Sequence, residues 1–187
     1  MNKKAINIVW FKRDLRFFDN EALFHAHQSG IPLLLVYFFE PSVMNYDDAD
    51  LRHWRFIYES IQNLQRKLEA TNSKLYFFQK EVATVFTELI KKFDVQTVFS
   101  HQEIGNKLTF DRDIAMQKFF KDNNIVWKEF QLHGVIRKLK SRSDWDKRWE
   151  NVMRSIPKIL KESDLNLIAL DTDFYDTIKG EKLSEAI

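Results

Sequence analysis

Four charged residues follow the first apolar run of the chain. They are Lys12, Arg13, Asp14 and Arg16, inside the stretch WFKRDLRFFDNEAL at residues 10–23. Further charges stand where other apolar runs stop. Glu40 follows Phe38 and Phe39, Arg52 and His53 open a long helical stretch, and Ser100, His101, Gln102 and Glu103 follow VQTVFS. Gathered at one edge of a sheet, residues of these types do one of two things. They pair with one another and clasp the loops together, or they line a cleft with aromatic walls, two carboxylates and several cations. Such a cleft suits a flat, polar, conjugated ring better than a phosphate chain. Spacing alone leaves both readings open.

Other chemistries lack their residues. The chain has no cysteine, so disulfides, thiolate metal sites and thiol catalysis are excluded. Glycine occurs only at Gly30, Gly105, Gly134 and Gly180, so neither a GxGxxG turn nor a P-loop can be written. That argues against a free-standing nucleotide-binding α/β domain. His25 and His27 are two apart on a helix and point in different directions, while His53, His101 and His133 are scattered. No metal site is expected from them. No GxSxG elbow supplies an acyl-transfer nucleophile, and no catalytic residue is assigned.

The elements that must position these residues alternate regularly. Residues 5–11 (AINIVWF) and 33–39 (LLLVYFF) are near-continuous apolar runs, as expected of parallel strands covered on both faces. Between them Asp19 can cap a helix to about Ser29, ended by Gly30 and Pro32. A long helix after residues 47–50 carries Trp54, Ile57, Tyr58, Ile61, Leu64 and Leu68 on one stripe. Residues 74–79 give a third strand and 82–93 a helix. A fourth strand follows at 95–100, a helix at 108–122 and a fifth strand at 125–130. Five strands joined by helical crossovers make a doubly wound, Rossmann-like α/β sheet, parallel, with helices on both faces.

At 187 residues, 44% hydrophobic and with 17 phenylalanines, the chain can bury one sizeable core. Its net charge of +2 is too small to announce nucleic-acid binding by the whole chain. Three stretches are distinguished: an α/β domain at 1–130, a basic helical extension at 131–161, and an acidic linker or tail at 162–187. The extension holds nine basic residues (Lys138 among them) against three acidic, with Trp145 and Trp149 on one helix face. The tail holds seven acidic residues against Lys179 and Lys182. The extension is expected to meet the tail or another domain of the same protein rather than DNA phosphates. With no apolar run near the ~18 residues of a membrane span and no signal segment, a cytoplasmic location is expected and no membrane partner.

The opening motif, WF-[KR]-RDLR-x-x-DN-x-AL, resembles the N-terminal signature of the DNA photolyase/cryptochrome family. HQEIGNKLTFDRD at residues 101–113 is similar to the loop and helix after the family's fourth strand, which also ends in an Arg-Asp pair. QLHGVIRKLKSRSDWDKRWENVM at 131–153 resembles the region after the fifth strand in a bacterial subset. The resemblance implies the family's α/β antenna domain, which packs on a larger helical domain holding FAD and the groove for a damaged base. In family photolyases light-excited reduced FAD donates an electron to a pyrimidine dimer extruded from the duplex. No part of this sequence resembles the helical domain, so the resemblance places FAD outside this chain, which alone is expected to bind no FAD and repair no dimers. By position it carries over a cleft of Lys12, Arg13, Phe38, Glu40, Arg52, His101 and Glu103. In some members that place holds an antenna chromophore, methenyltetrahydrofolate or a deazaflavin. The partners implied are the protein's own C-terminal helical domain and damaged DNA. The function implied is light-dependent DNA repair, with a cryptochrome-type blue-light photoreceptor as the alternative.

Overall fold

Strand β1 (Lys4–Phe11) forms the middle of a five-stranded sheet in the computed structural model, which describes residues 3–71, 73–137, 139–181 and 183. Lys138 and Lys182, counted among the charges above, lie outside the described residues. The other strands are β2 (Leu33–Phe38), β3 (Leu75–Phe78), β4 (Phe93–His101) and β5 (Val126–Phe130), all parallel in the order β3-β2-β1-β4-β5. The helices are α1 (Glu21–Gln28), α2 (Pro41–Met44), α3 (Leu51–Leu68), α4 (Val82–Lys92), α5 (Lys107–Asp122), α6 (Trp145–Met153) and α7 (Thr172–Ile178). The doubly wound α/β fold expected from the alternation is the fold observed.

Alternation along β1 divides the core in two, because successive side chains point to opposite faces. Ile6, Ile8 and Trp10 point to a cluster completed by Val85, Phe86 and Leu89 of α4 and Met116 and Phe120 of α5. Val9 and Phe11 point to the other, with Leu23 and Ala26 of α1 and Ile61, Leu64 and Leu68 of α3. Phe11, Phe17, Phe39, Phe78, Phe86, Phe99 and Phe120 are fully buried in the core, whereas Phe18, Phe56 and Phe110 are exposed.

Two details differ from the sequence expectation. Asn20, not Asp19, caps α1, its side-chain oxygen accepting from Leu23 N. Asp19 takes a left-handed φ of 50°, which Asp tolerates better than most residues, and exchanges two hydrogen bonds with the backbone of Lys158. The short helix α2 was not anticipated. It begins at Pro41, whose fixed φ and missing N–H suit the first helical position.

The acidic stretch returns to the sheet. Leu165, Ile168, Leu170, Tyr175, Ile178 and Leu183 are buried. Leu33 N donates to Asn166 O at 2.8 Å and Ile168 N to Leu33 O at 2.9 Å. Tyr175 Oη donates to Phe77 O at 2.8 Å, which fastens α7 over the edge strand β3. Within the basic stretch, Trp145 and Trp149 of α6 lie 6.3 Å apart, each 41% exposed, against Gly134. Trp145 Nε1 donates to Gly134 O at 3.1 Å.

Candidate functional site

Chain order reverses at β1, which pairs with β2 on one side and β4 on the other. The connections leaving β1 and β4 therefore diverge at their carboxyl ends and leave a crevice there. Asp14 fixes the β1 loop at its mouth. One of its oxygens accepts from Lys12 N at 3.0 Å; the other meets Asn20 Nδ2 at 3.0 Å and His101 Nδ1 at 2.5 Å. One buried carboxylate thus ties the end of β1, the start of α1 and the end of β4. Burial alone would raise Asp14, but the His101 hydrogen bond and charge hold it below its ordinary value.

Beside it lies a second network centred on Arg112 of α5. This guanidinium meets Glu40, Glu103 at 3.1 Å and Asp113 at 2.9 Å, and lies 5.0 Å from the Trp10 ring. Burial works against the Arg112 charge, and the three carboxylates more than offset it and raise its pKa. Asp113 also takes Lys12 Nζ at 2.7 Å, and Glu103 takes Arg13 Nε at 3.0 Å. Glu103 further accepts from Ile104 N at 3.1 Å and Gly105 N at 2.7 Å. Burial would raise Glu103, yet Arg112 and Arg13 hold it below the usual carboxylate value. Burial lowers the Lys12 ammonium despite Asp113. Its Nζ lies 4.4 Å from the Trp10 ring and 5.0 Å from that of Trp127, so cation–π attraction supports the charge.

Glu40 is the weakly partnered member. Arg112 is its only ion pair among the described residues, and that cation is shared with two other carboxylates. Burial pushes Glu40 up to about 7, against the pull of Arg112 and with some help from Glu81 and Asp113. Arg137, first of the basic stretch, donates to Glu103 O and pairs with Glu129 at 3.2 Å, so residues beyond β5 close the network.

Above this floor opens a cleft of about 810 Å³, within the usual size range for small-molecule sites. Tyr37, Phe38 and Trp54 supply aromatic wall, and Lys12, Arg13, Glu40, Glu103 and Arg112 supply charge. Of the residues expected from sequence, Lys12, Arg13, Phe38, Glu40 and Glu103 line it. His101 stands behind the wall, holding Asp14. Arg52 is not among the lining residues. It is 84% exposed along its side chain and pairs with Asp50, the cap of its own helix, at 2.9 Å. The sequence reading missed Tyr37, Trp54 and Arg112. The Arg-Asp pair at 112–113 was the available signal for Arg112, and a lone Tyr or Trp in an apolar stretch carries none. One donor of the cleft, Trp54 Nε1, is buried without a partner among the described residues.

A parallel α/β sheet with an aromatic, ion-lined cleft at the switch between β1 and β4 defines a doubly wound α/β domain with a candidate small-molecule site. Residues 7–171 match the DNA photolyase family, and the chain belongs to that family, as its N-terminal α/β domain. The Arabidopsis thaliana blue-light photoreceptor PHR2 is 32% identical over 104 residues, 53% of this chain and 23% of that protein. A bacterial class III photolyase from Agrobacterium tumefaciens superposes with a TM-score of 0.73 at 22% identity, over 100% of this chain and 39% of its own. An archaeal photolyase from Sulfolobus tokodaii, solved with two FAD molecules, gives 0.70 at 19% identity, over 95% of this chain and 42% of its own. The chain thus spans less than half the length of these relatives. No helix among the described residues is long and apolar enough to cross a membrane.

Proposed function

We propose that this chain is the chromophore-binding half of a light-driven flavoprotein that repairs DNA. Its cleft takes a flat, conjugated antenna molecule, a folate, deazaflavin or flavin, and the catalytic FAD is held by a helical domain of the same protein. The observation that carries this is the cleft itself: about 810 Å³, walled by Tyr37, Phe38 and Trp54 over a floor of paired ions. The Sulfolobus relative, solved with two FAD molecules and with the implication of a novel light-harvesting cofactor, supports a flavin as one candidate. Lys12, Arg13, Phe38, Glu40 and Glu103 form the site, His101 positions the β1 loop through Asp14, and Arg52 acts only if it leaves Asp50. Damaged DNA is the substrate of the whole protein, which works in the cytoplasm. A blue-light photoreceptor without repair activity is the second reading, favoured by the similarity to PHR2.

The test is reconstitution of the protein, purified from its native gene in the dark, with 5,10-methenyltetrahydrofolate, 8-hydroxy-5-deazaflavin and FMN. One of them should bind at one equivalent and be lost in Ala49→Trp, which fills the cleft. Equal binding by the filled variant would refute the site. Thymine-dimer splitting under blue light then separates repair from signalling.

A further inference from the structure

The cleft offers its ligand donors and positive charge, not free carboxylates. Glu103 is heavily engaged: Oε1 accepts from Arg13 Nε, Ile104 N and Gly105 N, and Oε2 accepts from Arg112 Nη2. Oε1 is thereby fully occupied and Oε2 is already paired with a guanidinium, which makes Glu103 a poor acceptor for a ring N–H. Among the described residues the Trp54 Nε1–H is buried without a partner, and Tyr37 lines the same cleft. Arg13 adds to them, with 56% of its side chain exposed and only Nε engaged by Glu103. Arg112, also in the lining, keeps its charge available only so far as Glu40, Glu103 and Asp113 do not neutralise it.

Glu103 and Asp113 each have a second cation, Arg13 and Lys12 respectively. Glu40 has none, so it is the carboxylate whose charge competes most directly with a ligand for Arg112. We propose that the cleft binds the anionic form of its ligand against Arg13 and Arg112, and that Glu40 is the proton-linked competitor which takes up a proton when the anion enters. The proposal rests on the cleft being a cofactor site and adds the ligand's charge and the control of its occupancy.

The surroundings of Glu40 favour that exchange. From α5 it faces Arg112 and Asp113, and from the β4 loop Glu103. Glu81, at the cap of α4, lies close by and is held to Ser42 of α2 by two hydrogen bonds. Lys12 and Arg13 of the β1 loop, Tyr37 of β2, and Asp48 and His53 line the same cleft. Carboxylates thus outnumber the cations that touch Glu40 directly. Burial sets it at about 7, within the pH range where a cell could use it. Protonation removes one negative charge from the floor and frees part of Arg112. An arriving anion then raises Glu40 further, as linkage requires.

FMN and riboflavin test this directly, because they share a ring and differ by the phosphate. The Glu40 carboxyl carbon, followed by NMR in the protein, should titrate near neutrality and move upward when FMN is added. From pH 8 to pH 6 FMN affinity should tighten about tenfold in the wild type. Glu40→Gln should bind FMN tightly at both values and keep only the small slope of the phosphate's own titration. Riboflavin should be nearly flat in both proteins. Titration of Glu40 in the ordinary carboxylate range would overturn the proposal whatever binds, and so would an FMN slope unchanged by Glu40→Gln. If Glu40 titrates near neutrality and no folate, deazaflavin or flavin binds at any pH, the cofactor reading fails and the coupling fails with it.

Discussion

Replacing Arg112 by Gln removes the one charge that three buried carboxylates share. Asp113 keeps Lys12 and Glu103 keeps Arg13, but Glu40 is left without an ion pair among the described residues. Deleting one partner of a buried ion pair costs about 3–5 kcal/mol, because the remaining charge stays desolvated. The upper part of that range applies here at pH 8, where Glu40 is ionised in the wild type. Lower pH relieves the variant, since Glu40 then takes a proton and no longer needs a cation. Between pH 8 and pH 5.5 the deficit should shrink by at least about 1 kcal/mol, one pKa unit being worth about 1.4 kcal/mol. Adding Glu40→Gln to Arg112→Gln should recover part of the loss, with a coupling of about 0.5–3 kcal/mol. Urea unfolding followed by far-ultraviolet circular dichroism measures all three quantities. A deficit under about 1 kcal/mol at pH 8, or one identical at both pH values, would show that Arg112 is not the centre of the network.

Three further outcomes are expected. The folded pKa of Glu40, about 7, lies above its unfolded value, so its contribution to stability is fully present below about pH 4.3 and lost as pH rises through 7. Relative to Glu40→Gln, the wild type should lose about 3 kcal/mol across that window in urea titrations; parallel curves would contradict the raised value. Gly105→Ala places a Cβ 2.7 Å from both Glu103 Oε1 and Thr109 Oγ1. It should cost about 1–3 kcal/mol by thermal or urea melting, and a neutral effect would mean the β4 loop yields freely. Tyr175→Phe removes the hydrogen bond to Phe77 O and should cost about 1 kcal/mol. No change in the urea midpoint would mean that α7 does not contribute to the cooperative fold.

The sheet was legible because its central strands, β1 and β2, are buried on both faces. Runs such as LLLVYF need no pairing information to be recognised, and the helices between them keep strict spacing. The return of the acidic stretch was not legible. Leu165, Ile168 and Leu170 contact the sheet one at a time from irregular chain, and α7 is too short, at Thr172–Ile178, to leave a period to read. At the site, Lys12, Arg13 and Glu103 could be placed because they follow strands whose ends converge. Arg112 lies a turn and a half into α5, and only tertiary packing brings it to Glu40, 72 residues away. Arg52 was expected at the cleft from its position near the start of α3. The local competitor was Asp50, two residues away and already committed as the helix cap.

A crystal structure of the protein purified in the dark with its native chromophore tests the central claim most directly. A flat ring should lie in the cleft against Tyr37, Phe38 and Trp54, with acceptor atoms toward Trp54 Nε1 and its negative group within hydrogen-bond distance of Arg13 or Arg112. Density for the chromophore elsewhere, with the cleft filled only by water, would contradict it.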